Sequence, residues 1–222
     1  MIKKVRFTIT LGVLLLFVMC TNPFTTRQNQ VEPPDVGTPG GKLIYDPAVN
    51  PDIVFVNLKK AIEAKDVDEY MKCFVPLTQN GQPHSFEFIP EQHFTNEFEK
   101  QKWTLNDEQN YFIQLTRSQK NDYPKLDFSL NDGGPITLNP ITPTSINDSL
   151  ETASVKYQLT VLYSVDSVKI YSGVLQFRLF KSNIPPEIWY IYYWEDNAIG
   201  NAYEKTWTAL KLFYRKSGVR NE

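Results

Sequence analysis

Cysteine and histidine are nearly absent. Among 222 residues there are two cysteines, Cys20 and Cys73, and two histidines, His84 and His93. So few leave no cysteine–histidine spacing for zinc, and the pairs His84 with Glu87 and Glu91 with His93 match no ligand pattern. No glycine-rich phosphate loop and no Gly-x-Ser-x-Gly elbow occurs, which removes P-loop nucleotide hydrolases and α/β-hydrolases. A bilayer span needs roughly 17–25 apolar residues, and the apolar run Thr8–Met19 has only 12. Basic charge is also short. The net charge is −2, and setting aside residues 1–19, with three basic and no acidic residues, brings it to −5. An acidic domain is a poor partner for nucleic acid or anionic lipid headgroups. Nothing in the sequence asks for a cofactor or a metal, and no residue is assigned as catalytic.

What is present begins with the N-terminus. Lys3, Lys4 and Arg6 precede the Thr8–Met19 run, and Cys20 closes it; a positive start followed by a short apolar stretch reads as a secretory signal over residues 1–19. The segment from residue 20 to 45 carries Pro23, Pro33, Pro34, Pro39, Gly37, Gly40 and Gly41 without apolar periodicity. It is expected to be a flexible tether, because it cannot bury enough surface to offset the entropy of ordering it. The cysteine at the end of the signal resembles the lipobox of bacterial lipoproteins. That resemblance implies acylation of Cys20, a membrane partner held through this lipid, and a location in the bacterial cell envelope. Thr21 stands where Asp would accompany inner-membrane retention, so the expected place is the outer membrane, facing the periplasm. With Cys20 acylated, Cys73 has no disulfide partner and is expected to be a buried, inert thiol.

Residues 46–222 are long enough for one domain with a full core. Asn50-Pro51-Asp52 starts a helix, with a capping Asn, Pro at its first position and an acid in its first turn, and Val54, Leu58, Ala61 and Ile62 form its apolar face. Asp66 caps a second helix, Val67 to Phe74, and Ser85–Pro90 alternates as a short strand. A third helix is predicted from about Asn106 to Arg117, with Tyr111, Phe112 and Leu115 as its stripe. The chain then turns to β-structure. Leu126–Leu130 alternates, a loop runs from Asn131 to Ser149, and Val155, Tyr157, Leu159, Val161, Tyr163 and Val165 take every second position of a long antiparallel strand. Asp166-Ser167 turns it into a partner strand, Val168 to Phe180, where Gly173 suggests a bulge or bend. A final aromatic strand, Trp189–Trp194, and a closing helix, Thr206–Arg215, complete the order. The fold class is therefore α+β, with N-terminal helices packed on a curved antiparallel sheet.

Residues 50–215 resemble small bacterial lipoproteins with the nuclear-transport-factor-2-like, cystatin-like cone fold. The resemblance rests on the opening run from Asp52 to Tyr70 and on the ending Trp189–Asp196 with Thr206–Lys211. It implies a cone with a pocket at its open end and relatives among ketosteroid isomerases, dehydratases and polyketide cyclases. Three functions are compatible with it: a noncatalytic envelope lipoprotein binding a small apolar ligand or an envelope protein partner; an isomerase- or dehydratase-like enzyme using an acid or His in the cone; and an assembly component forming a homodimer through its sheet. Few polar residues lie on the alternating strands, which favours binding or assembly over catalysis.

The residues singled out for a pocket or interface are Trp189, Tyr193, Trp194 and Glu195. Because strand neighbours point to opposite faces, either Trp189, Ile191 and Tyr193 are inside, or Tyr190, Tyr192 and Trp194 are. His84 and His93 read as loop residues, and Asp196 as a strand-end acid facing water. Lys211, Arg215, Lys216 and Arg220 read as cations at the end of the closing helix, favoured by its dipole.

Overall fold

A computed structural model describes residues 43–76, 84–117, 122–141 and 149–218. The signal at 1–19, Cys20 and the tether up to residue 42 lie outside the described residues. The chain divides into two units, Met1–Ile44 and Tyr45–Glu222, and every helix and strand among the described residues belongs to the second. No helix among the described residues is long and apolar enough to cross a membrane.

Helix α1 (Pro51–Ala64) follows Asn50, whose side chain makes none of the expected capping hydrogen bonds, and buries Val54, Phe55, Leu58, Ala61 and Ile62. It stops at Lys65, whose left-handed backbone (φ 59°) sends its N–H back to the carbonyls of Ala61 and Ile62, a common helix terminator. Asp66 then caps α2 (Val67–Lys72) by accepting from the Glu69 N–H at 3.1 Å. After strand β1 (Glu87–Ile89) come α3 (Thr95–Glu99), absent from the sequence reading, and α4 (Leu105–Thr116). A reciprocal box starts α4: the Asp107 N–H donates to Thr104 Oγ1 at 3.2 Å, and Asp107 Oδ2 accepts from the Thr104 N–H at 2.8 Å.

The sheet comprises β1, β2 (Lys125–Leu130), β3 (Leu138–Pro140), β4 (Ser149–Thr152), β5 (Val155–Ser164), β6 (Ser167–Lys181) and β7 (Trp189–Asn197). The 15-residue β6 is its spine. One edge of β6 pairs with β7; the other pairs first with β5 and then with β4. Strand β2 extends the sheet beyond β5, β3 beyond β4, and β1 beyond β7 in the parallel sense. The expected α+β class, with helices on a curved and mostly antiparallel sheet, is what the chain adopts. Strand β3 lies inside the segment expected to be only a loop.

Two expectations change in the final strands. At β7 the register with β6 shifts between Arg178 and Leu179, so that Arg178 faces Tyr193, Leu179 faces Ile191, and Tyr192 is the extra residue. A bulge inverts the alternation, and the inner face therefore takes Trp189 and Ile191 from one phase and Trp194 and Asp196 from the other. Neither simple alternative for this strand holds. Gly173 marks no bulge: it pairs in register with Tyr157. A Cβ there would stand 2.5 Å from the Asn197 carbonyl oxygen and 2.9 Å from the Tyr157 ring, so glycine is needed for close approach.

Helix α5 (Trp207–Gly218) closes the domain. Its Trp207 ring meets Phe128, Tyr157 and Trp194, with centroids 4.7 to 5.4 Å away. The rings of β2, β5 and β7 thus converge on one residue of the last helix, and α1 supplies Phe55 against Phe177 at 5.7 Å.

Candidate functional site

Helix α5 packs on the sheet through Trp207, fully buried against Phe128, Tyr157 and Trp194. Two buried polar clusters hold that helix. At its start, Asp196 of β7 accepts from the Thr208 N–H and Oγ1–H, both at 2.6 Å, and from the Tyr157 hydroxyl at 2.8 Å. The Tyr157 oxygen in turn accepts the Trp207 N–H at 2.6 Å. An acid at a helix start meets unpaired N–H groups and the positive end of the dipole. Burial pushes the Asp196 carboxyl above the ordinary carboxylate range, while the Thr208 and Tyr157 donors pull it back. Thr208 Oγ1 also accepts from the Glu91 N–H at 2.9 Å, which ties α5 to the segment after β1.

One turn on, Lys211 pairs with Glu108 of α4, Nζ to Oε2 at 2.5 Å, and both side chains are 0% exposed. Glu108 also accepts from the Tyr70 hydroxyl at 2.6 Å and from Trp103 Nε1 at 2.7 Å. The ammonium lies 3.8 Å from the Trp194 ring centroid and 4.0 Å from that of Phe88, within reach of cation–π attraction. Burial pulls the Lys211 amine down and Glu108 pushes it back up. Lys211 is therefore no solvated helix-end cation but the centre of the core; Arg215 is half-buried against Phe98 and Trp103. The Lys216 side chain and Arg220 lie outside the described residues.

The four residues singled out from the sequence divide. Trp189, 7% exposed, and Trp194, fully buried, belong to the core. Tyr193 and Glu195 lie half-buried on the outer face, where the Tyr193 hydroxyl donates to Glu195 Oε2 at 2.8 Å and the Arg178 guanidinium stacks 4.4 Å from the Tyr193 ring centroid. Asp196 faces inward, not water. His84 stacks on Tyr192 at 4.0 Å, and His93 stacks on Tyr203 at 4.2 Å and bonds Glu91 at 2.9 Å through Nδ1. Cys73 is buried, and burial pushes its thiol up. No group of three or more metal-ligating side chains occurs among the described residues.

Sequence reasoning missed Glu108, Lys211 and Tyr157 as a set. A signal exists: Glu108 is in phase with Tyr111, Phe112 and Leu115, and Lys211 with Trp207, so each occupies a helix's apolar stripe.

A hollow of about 330 Å³ opens between α4 and α5. Trp103, Tyr111 and Tyr214 are its aromatic lining, Gln101, Asn110 and Gln114 its amides, and Asp107 and Arg215 its two charges.

No protein-family model and no curated protein sequence matches the chain. Among solved structures, it is similar to a protein of unknown function from Mycobacterium tuberculosis (14% identity, 77% of this chain and 87% of that one, TM-score 0.47). It is also similar to a nuclear-transport-factor-2-like superfamily protein from Salmonella enterica (11% identity, 67% and 87%, TM-score 0.43). A third is a nuclear-transport-factor-2-like protein with a cystatin-like fold from Novosphingobium aromaticivorans (8% identity, 71% and 83%, TM-score 0.41).

Proposed function

We propose that this chain is a lipid-anchored protein of a bacterial cell envelope whose folded domain works by binding rather than by catalysis. The observation that carries the second half is the complete burial of the charged side chains inside the domain. General acid–base chemistry needs a titratable group within hydrogen-bond reach of a substrate. Inside this sheet Glu108, Asp196 and Lys211 are 0% exposed, and each is committed to partners on another element. The tether rests on the basic start, the Thr8–Met19 run and Cys20.

One preparation tests both halves: the full chain made in a bacterial host and extracted from membranes, beside a Cys20→Ala variant. Intact mass should show a chain beginning at Cys20 with added acyl mass, lost in the variant; an unmodified soluble product removes the anchor. Acrylamide should quench the tryptophan fluorescence weakly, because Trp103, Trp189, Trp194 and Trp207 are each 7% exposed or less. Strong quenching would mean an interior open to small molecules and would return the enzymatic reading.

A further inference from the structure

The β5–β6 hairpin ends in a projecting tip whose apolar side chains face solvent, and we infer that this tip is the surface by which the anchored domain rests on a lipid bilayer. The inference depends on the lipid-anchored reading above and adds the end of the domain that meets the membrane.

Strand β2 accompanies β5 only as far as Leu162, opposite Lys125, and β7 accompanies β6 only from Val174 onward. Past those points β5 and β6 continue as a two-stranded ribbon, closed by the pair Ser164 and Ser167 around Val165 and Asp166. Every residue from Ser164 to Ile170 is exposed. Val165 at the apex is 77% exposed, Val168 53% and Ile170 50%. Val168 and Ile170 share the outer face with Leu162, the partner of Val168 across the hairpin. Farther along that face β6 turns polar, with Ser172, Gln176 and Arg178 around Val174. The other face of the ribbon is apolar at the tip as well. Phe213 of α5 is 53% exposed, and the Lys169 ammonium lies 5.6 Å from its ring centroid and 5.7 Å from that of Tyr163. Apolar side chains gathered at one exposed point mark a docking surface.

Two observations choose a bilayer as the occupant. The first is chemical. Hot spots of protein interfaces are Trp, Tyr and Arg seated in pockets; this tip is convex, and Ser164 to Ile170 include none of the three. Its two charges, Asp166 and Lys169, cancel, so the net acidity of the domain is not concentrated here. Lys169 keeps its ammonium in water while its stem lies along apolar surface. The turn backbone and Asp166 limit the depth to about 5–10 Å, the boundary of headgroups and acyl chains, because unpaired polar groups do not enter hydrocarbon.

The second is where the tether joins the domain. The Ala48 carbonyl accepts from the Trp189 N–H at 2.8 Å, and Trp189 pairs with Lys181 at the far end of β6. The Asp46 carbonyl accepts from Asn57 Nδ2 at 2.7 Å, midway along α1, and Tyr45 lies in the field of Asp66 and Glu69, past the end of α1. Helix α1 itself runs toward the tip: Lys59 Nζ donates to the Phe128 carbonyl at 2.5 Å and Lys65 Nζ to the Asp122 carbonyl at 3.0 Å, just ahead of Lys125, the partner of Leu162. Read from Ala48 back to Tyr45, the chain therefore heads for the tip's end of the molecule. Cys20 and Tyr45 are 25 residues apart. A polypeptide of that length and composition has a root-mean-square span of about 25–30 Å, shorter than the 15-residue β6, about 50 Å at 3.3 Å per residue. A lipid on Cys20 thus keeps the tip's end near the bilayer, and at such effective concentrations a small apolar contact suffices.

The test is electron paramagnetic resonance on the full chain, acylated by its bacterial host and reconstituted in phosphatidylcholine vesicles. Acylation occupies Cys20 and Cys73 is 4% exposed, so a nitroxide goes to one introduced cysteine: Val165→Cys at the tip or, as reference, Glu187→Cys beyond the far end of β6. Both positions are exposed, so folding is not at risk. At the tip, oxygen should relax the label severalfold more effectively than an aqueous nickel chelate, and at residue 187 the order should reverse. About 1 M salt, which shortens the Debye length to about 3 Å, should leave the tip result unchanged, and Val168→Asp with Ile170→Asp should return the tip label to water. A tip label as wet as the reference, in chains that float with the vesicles, overturns the proposal and leaves the anchor standing. A tip label that stays dry in the aspartate variant, or is released by salt, overturns the apolar contact. Chains that carry no acyl mass and do not float overturn the anchored reading, and this inference falls with it.

Discussion

Two ion pairs of the same chemistry stand on the two faces of the sheet. Lys211–Glu108 lies inside, each side chain 0% exposed, under Trp194 and Phe88. Arg178–Glu151 lies outside at 2.6 Å, with side chains 39% and 30% exposed and Tyr193 beneath the guanidinium. Both are a cation on a carboxylate and an aromatic ring. Water separates them in energy. Outside, solvent answers each charge whether or not the pair forms, so the pair adds little. Inside, each charge has lost its water and depends on the other. Geometry alone would rank the two as equals; burial makes one a condition of the fold and the other an ornament of its surface.

The largest effect should come from splitting the inner pair. Lys211→Ala leaves Glu108 buried with only the Tyr70 and Trp103 donors, and should cost about 3–5 kcal/mol in urea unfolding. The double variant Lys211→Met with Glu108→Gln removes both charges, keeps an amide oxygen to accept from the Tyr70 or Trp103 donors, and should recover part of that loss. A double variant no more stable than the single would mean that the pair is not coupled, and the contrast between the faces would collapse. Arg178→Ala should cost no more than about 1 kcal/mol; a loss near that of the inner pair would show the outer face to be far drier than its exposure indicates.

The smallest effect is expected on the outer side, through pH. Burial against Tyr192 and Phe180 holds the His84 imidazole below its ordinary value of 6.5. Below pH 6.5 the unfolded chain therefore takes up a proton that the native one resists, and stability falls as pH drops through the lowered folded value. His84→Gln should flatten the stability–pH curve in that window. An unchanged slope would show that the ring stacks without being desolvated.

Much of the domain can be read locally because its signals are local. The Pro51-Asp52 start, the Asp66 cap and the alternation from Val155 to Tyr163 each announce an element, and each element appears where expected. The phase of β7 cannot be read that way. The bulge at Tyr192 is a property of its pairing with β6, and nothing in Trp189–Trp194 marks which residue is extra. Lys211 failed for a different reason. A cation near a chain's end is usually solvated, and only its place in the stripe with Trp207, together with Glu108 in the stripe of α4, hints that the two meet. Both positions are set by contacts more than 100 residues apart in sequence. The aromatic lining of the hollow has the same character, since six of the seven strands lie between Tyr111 and α5.

Gly173 has no side chain, yet it governs the seat of the last helix. Tyr157 lies in the room that glycine leaves open, and the Tyr157 hydroxyl accepts from the Trp207 N–H and donates to Asp196. The alignment of α5, and with it one wall of the hollow, is thus handed down from an empty volume in a strand. In such a chain of dependence the least tolerant position is the one contributing no atoms of its own, and a single added methyl group there would be felt at the far end of the molecule.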